Sequence, residues 1–512
     1  MMRISTSTLY DSSVATINDQ TSALLKIQQQ LASGRRILAP ADDPVAAARA
    51  FEVSQSSKVN DQYLTNQKAA NSSLGLEESV LASVQSTLQS VHSLAVDAGN
   101  PTYDNTNRGY IATELRSKFN ELVGQANTTD GAGLYLFSGY KGATLPFTVT
   151  ASGGFNVVNY NGDQGQRLMQ IASSRQIAVS DSGSGVFTNI KDGNGAFTAA
   201  PGAANAGTGI IGPGNVLDPS KWAANATSKD YTIQFRNIAT AVPPPGGANE
   251  VTITDTATWE NSAKNFTVTF GVGTYTVTDN VHNSTSGPFS YIGNPTNIPG
   301  VGASFNWAPA AGSSYTITPG TTSYDIIDNV SGNSVITGAA PPATGNYPRT
   351  YTSGQAINFS NLAVPAVNSD YGIQATITGS PANGDGFTVK ASANESIFKT
   401  IDDLASVLEA PVNNDADGAK LQNALNKALT NINNDMDNIS TVRASIGARM
   451  KEISSSQSAG QDLTLQYQTT LSGLQDLDYA KAVSQLTQQK VNLEAAQKAF
   501  TQIAGLSLFN YM

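Results

Sequence analysis

Residues 425–453, LNKALTNINNDMDNISTVRASIGARMKEI, decide the architecture. Leu425, Leu429, Ile432, Met436, Ile439, Arg443, Ile446, Met450 and Ile453 fall in a strict four-three rhythm, and only Arg443 breaks the apolar line. A period of about 3.5 residues keeps one stripe turned toward a partner helix along its whole length. Arg443 either fixes register with a carboxylate partner or turns outward.

The same rhythm marks both chain ends. Tyr479, Leu486, Leu493 and Phe500 repeat every seven residues, with Ala482, Gln489, Ala496 and Ile503 on a second seam. Near the amino end Ile17, Leu24 and Leu31 share one position, and Gln20 and Ile27 the other. Leu74, Leu81, Leu88 and Ala95 form a further seam beside Val84, Val91 and Ala98. Such stripes need cover, and the simplest cover folds the two ends beside each other. An intramolecular helical bundle with no assembly role uses the same spacing. Helices are predicted over 5–33, 44–98 and 105–128. The first stops at Ser33-Gly34. In Asp42-Asp43-Pro44, Asp43 is read as the cap and Pro44 as the first residue of the second helix, in preference to a paired-carboxylate site.

The period then changes. GLYLFSGYKGATLPF (133–147) and FNVVNYNGDQGQRLMQIA (155–172) read as strands joined by a turn at Asn161-Gly162-Asp163. Runs such as NEVTITDT and NFTVTFGVGTYTVTD alternate β-branched and aromatic residues with polar ones, the pattern of an antiparallel β domain. NFTVTFGVGTYTVTDN from Asn265 aligns with SYTITPGTTSYDIIDN from Ser314, which suggests a duplicated module. Trp222, Trp259 and Trp307 each precede an aromatic-Thr run and are assigned to its core. The fold class is therefore α+β and multidomain: terminal helices paired as a coiled-coil and rod bundle around a central antiparallel β insert.

Composition closes several function classes. The 512 residues carry a net charge of −10, with scattered basic residues and no basic stripe, so nothing favours nucleic acid. There is no cysteine, which removes disulfides, thiolate nucleophiles and Cys-ligated zinc. Two histidines, His92 and His282, leave no multi-His metal site, and neither has a visible partner. Asp192-Gly193-Asn194-Gly195 lacks the other ligands of an EF-hand loop and reads as a turn. No apolar run approaches the roughly 18 residues of a membrane span. The amino end lacks the apolar centre of a cleaved secretory signal. No catalytic, cofactor or metal residue is identified, and an enzyme is not expected.

Gln29, Leu31, Ser33, Gly34, Arg36, Ile37, Asp42, Asp43 and Pro44, the 133–147 block, YNGDQGQR (160–167) and the tail LDYAKAVSQLTQQKVNLEAAQKAFTQIAGLSLFNYM (477–512) resemble bacterial flagellar hook-filament junction proteins of the hook-associated protein 3 type, within the flagellin superfamily. The resemblance implies a structural flagellar component exported by the type III route. Its implied partners are hook-associated protein 1, flagellin, copies of itself in a ring-like layer and an export chaperone. It implies a terminal coiled-coil domain (1–40 plus 470–512), a helical rod domain with a β-hairpin (41–200 plus 396–469) and an outer β domain (201–395). The residues expected at the assembly interface are Ile17, Leu24, Leu31, Tyr479, Leu486, Leu493, Phe500 and Ile503. A filament subunit, or a junction protein whose insert is an adhesin-like binding module, are the rival readings.

Overall fold

A computed structural model describes residues 6–509 apart from 225–228, 238–239, 243–250, 256–257, 260–261, 263, 292–295, 306, 319, 343–345 and 361–369. The chain divides into two compact units, one of residues 1–74, 168–179 and 447–512, the other of 75–167 and 180–446. Helices α1 (Thr6–Ser33), α2 (Pro44–Ala98) and α3 (Asn105–Ala126) open the chain. The short α4 (Pro219–Ala224) lies among strands, and α5 (Ile397–Glu409), α6 (Asp415–Gln475) and α7 (Tyr479–Phe509) close it. Among the described residues all strand pairings are antiparallel. Terminal helices around an antiparallel β middle are thus the observed fold.

In the second unit the heptad stripes are core. Leu81, Val84, Leu88 and Val91 of α2 and Ile432, Ile439 and Ile446 of α6 are fully buried. Each such side chain contributes on the order of 1.5–3 kcal/mol of transfer free energy. Arg443 is the register-fixing kind: its Nε and Nη2 donate to Glu78 Oε1 at 2.9 and 2.6 Å, and Nη1 donates to Gln85. Helix α3 packs on α5, with Phe119 edge-on to Phe398 at 6.3 Å. Asp104 caps α3 by accepting the Asn107 N–H at 2.8 Å, and Ser396 caps α5 by accepting that of Lys399 at 3.1 Å.

The β insert is built in two nested layers. Strand Asp230–Asn237 pairs with Thr322–Asp328 on one side and Gly386–Ala391 on the other, and Phe197–Pro201 closes that sheet. Its core gathers Trp222, Tyr231, Phe235, Phe359 and Phe387. Between the paired strands 230–237 and 322–328 the chain makes a separate core around Trp259, Phe266, Phe270, Phe305 and Trp307. All three tryptophans are buried, as their spacing predicts.

Four expectations are corrected. The hairpin turn is at Gly153-Gly154, between strands Phe147–Ser152 and Phe155–Tyr160, and not at Asn161-Gly162-Asp163. Both glycines adopt positive φ (61° and 88°), which a tight hairpin turn demands. The block before Phe147 is not a strand but a run of turns in which Leu136 and Phe137 are buried. The repeat is not a duplicated module: Phe266–Phe270 and Thr274–Asp279 form a hairpin, whereas the equivalent Ser314–Thr318 and Thr322–Asp328 lie in different sheets. The second copy straddles the exit from the nested core, so equal local patterns meet different partners. Lastly, His282 has a partner, with Nδ1 at 2.7 Å from Asp279 Oδ2.

Candidate assembly interface

In the first unit the two chain ends are joined at the base of α1 and α7. Gly34, at φ +70°, ends α1 and gives its carbonyl to the Leu477 N–H at 2.9 Å. The Arg36 N–H donates to Gln475 O at 2.7 Å, and its Nη2 to Leu474 O at 2.7 Å. Arg36 also pairs with Asp43 at 3.2 Å, while Asp43 Oδ1 accepts the Ala46 N–H at 3.0 Å at the start of α2, just past Pro44. Asp42 Oδ2 accepts the N–H groups of Leu38 and Ala39 at 2.9 and 3.0 Å, and Oδ1 meets Lys26 at 2.7 Å. Lys26 and these backbone donors lower the Asp42 carboxyl to about 2. The Ala46 amide and then Arg36 lower that of Asp43. The two carboxylates thus clasp the α1–α2 turn.

Above this clasp α1 packs along α7, and Tyr10 meets Phe500 at 5.1 Å between ring centroids. Ile17, Leu24 and Leu31 on α1, and Leu486, Leu493 and Phe500 on α7, are all half-buried, and of the seam residues described Ala482 alone is fully buried. Tyr479 is 55 % exposed, its hydroxyl beside Gly34, and the side chain of Ile503 lies outside the described residues. Two helices cover each other along one line only. Tyr10 on that line, and Leu25, Val483 and Val491 beyond it, are each more than half exposed.

The second unit holds a group the sequence reading passed over. Asparagines on one face of α6 bind the backbone at the root of the insert. Asn423 Oδ1 accepts the Ile211 N–H at 2.8 Å and its Nδ2 donates to Gly209 O at 2.9 Å. Asn431 Oδ1 accepts the Gly193 N–H at 3.0 Å, and Asn434 Nδ2 donates to Gly193 O at 2.7 Å. Asn438 Nδ2 donates to Val186 O at 2.9 Å. The Asp192–Gly195 segment is indeed a turn, held by Asn194 Oδ1 on the N–H groups of Ala196 and Phe197. A second network ties the hairpin down: Arg116 on α3 closes on Asp402 of α5 and on Glu409 at 3.0 Å, and Asp402 accepts the Asn156 N–H at 3.1 Å. Among the described residues no acidic or imidazole cluster fits a metal ion, and no helix is long and apolar enough to cross a membrane.

The two chain ends form a half-covered helix pair, and the β insert lies between them in the sequence. Residues 4–142 match the model of the bacterial flagellin N-terminal helical region. The chain is 35 % identical over 189 residues to flagellar hook-associated protein 3 of Salmonella typhimurium, covering 37 % of this chain and 58 % of that relative. It is 33 % identical over 189 residues to the protein of the same name in Escherichia coli, with the same coverage of 37 % and 58 %. The chain thus spans somewhat over half the length of these curated relatives. The crystal structure of flagellar hook associated protein-3 from Legionella pneumophila shares the fold, with a TM-score of 0.56 at 24 % identity over 83 % of this chain and 98 % of that one. The chain is thus similar to hook-associated protein 3 over part of its length, and its residues 4–142 are similar to the flagellin N-terminal helical region.

Proposed function

We propose that this chain is a structural component of the bacterial flagellum, at the junction between hook and filament. The observation that carries the reading is the half-buried α1–α7 pair, an incomplete core that neighbouring subunits would finish, in a chain that resembles hook-associated protein 3. The eight terminal seam residues then act in assembly by making the paired ends that stack, and Tyr10, Leu25, Val483 and Val491 supply apolar surface between subunits. The partners in this reading are hook-associated protein 1 below, flagellin above, further copies in a layer and an export chaperone before assembly. The chain reaches the flagellum outside the cell by type III export and catalyses no reaction. The proposed division keeps a terminal coiled-coil part, a rod part and an outward β part.

A deletion strain tests this. Hooks that persist while flagellin escapes into the medium are the expected result. Filaments that attach normally, or purified protein that polymerises alone into long filaments, would replace the junction reading with that of a filament subunit.

A further inference from the structure

Asp435 is a buried ionisable side chain on α6. It is 2 % exposed and its Oδ2 atom has no hydrogen-bond partner. Its neighbours on the helix are committed to the root of the insert: Asn431 and Asn434 to the turn after strand Ile190–Lys191, Asn438 to the π-helical turn Ser184–Thr188. Strand Ile190–Lys191 pairs with Asn394–Glu395, so this turn of α6 is where both ends of the insert leave the helical framework.

Among the described residues, the charged groups at the insert root and on α5 offer Asp435 no counter-ion. Glu395 accepts from Thr400 Oγ1 at 3.2 Å and Asn431 Nδ2 at 2.9 Å, and pairs with Lys427 at 3.6 Å. Lys191 Nζ is turned to Ser392 O at 3.5 Å, and Asp192 accepts the Ala393 N–H at 2.7 Å. On α5, Asp402 is held by Arg116 and Lys399 pairs with Asp403 at 2.5 Å. The Ser184–Thr188 turn carries no ionisable side chain. An unpaired carboxylate in such a place is strongly disfavoured, and the group escapes by keeping its proton.

We infer that Asp435 is a proton-operated hold on the root of the β insert: as a neutral acid it lets α6 seat against the strand pair, and as an anion it works against that seating. Burial first, and then the like charge of Glu395, push its carboxyl well above the ordinary carboxylate range. A folded pKa raised above the unfolded one gives stability that is full below the unfolded pKa of 3.8 and is lost as pH rises through the folded pKa.

The experiment is amide hydrogen exchange on the full chain over a pH series, corrected for intrinsic exchange, read on peptides spanning 185–195 and 390–400. In the native protein, protection there falls as pH rises, by up to about tenfold per pH unit for one proton, while peptides from the nested core at 266–279 hold theirs. Asp435→Asn keeps the shape without the charge and gives a flat profile. Glu395→Gln removes the like charge and shrinks the fall, which also answers the question should Asp435→Asn fold poorly. Parallel profiles for the native protein and Asp435→Asn, or an unaltered fall in Glu395→Gln, overturn the proposal. So does protection restored by calcium or magnesium only when Asp435 is present, which would mark a cation site instead.

Discussion

Asn423 of α6 bonds to Ile211 as a neighbouring strand would, with Oδ1 at 2.8 Å from the Ile211 N–H while Nδ2 meets Gly209 O at 2.9 Å. Both side chains are buried, Asn423 at 4 % and Ile211 at 3 % exposure, so water cannot replace either bond. Asn423→Ala leaves one buried donor and one buried acceptor unpaired, at about 1–3 kcal/mol for each. Exchange of the Ile211 amide should accelerate accordingly. Asn423→Asp keeps the acceptor and should restore protection at Ile211 without restoring the contact to Gly209. Equal loss in both variants would mean that packing, not hydrogen bonding, seats the insert there.

The asparagine face also marks the limit of what the sequence discloses. The α1, α2 and α3 spans are legible because helical period, caps and Gly34 are local signals. The pairing of strands is not local. Nothing in SYTITPGTTSYDIIDN says that Ser314–Thr318 joins Phe266–Phe270 while Thr322–Asp328 returns to Asp230–Asn237. Asn161-Gly162 is a strong turn dipeptide, but Gly153-Gly154 takes the hairpin because two positive-φ residues stand there in register between matched strands. At the candidate interface the heptad positions were readable, and their half-burial was not. A missed clue lay in α6 itself. Asn423, Asn431, Asn434 and Asn438 are poor helix formers at spacings of eight, three and four, which places them on one face with a task other than helix formation.

At the base of α1, Asp42 should set the acid limit of the clasp. Its carboxyl titrates at about 2, below the ordinary 3.8, through Lys26 and the Ala39 and Leu38 amides. A depressed carboxyl stabilises fully above the unfolded pKa and ceases to do so as pH falls through the folded one, so the loss falls between pH 3.8 and about 2. Proteolysis by pepsin at the Gly34–Pro44 segment, followed across that window, should rise in the native chain and be high throughout for Asp42→Asn. A flat native profile would remove Asp42 from the clasp.

Gly34 is required by conformation and by space. Its φ of +70° is strained for any residue with a Cβ, and a Cβ would stand 3.0 Å from the Tyr479 hydroxyl. Gly34→Ala should cost on the order of 1 kcal/mol or more in the α1–α7 pair. Tyr479→Phe in the Gly34→Ala background should recover only the contact part. Helix content by circular dichroism on heating would report it, and full recovery would show that the clash alone, not the backbone, fixes this glycine.

The last prediction separates the ends from the middle. Leu486 is half-buried on α7, and Phe500 lies against Tyr10 at 5.1 Å. Replacing either with Glu puts a charge on the line where α1 and α7 meet. Large-to-small changes in full cores cost about 2–5 kcal/mol, and half-burial places these sites toward the lower end. Among the described residues, the Trp222 and Trp259 cores are built from residues 197–389 and 251–317 and include none of that line. Leu486→Glu and Phe500→Glu should therefore lose terminal helix signal and incorporation into flagella, while tryptophan fluorescence of the insert melts as in the native chain. Deleting residues 1–33 or 475–512 should act in the same direction. Normal filament attachment in either point variant would mean that the α1–α7 seam is not the surface on which assembly rests.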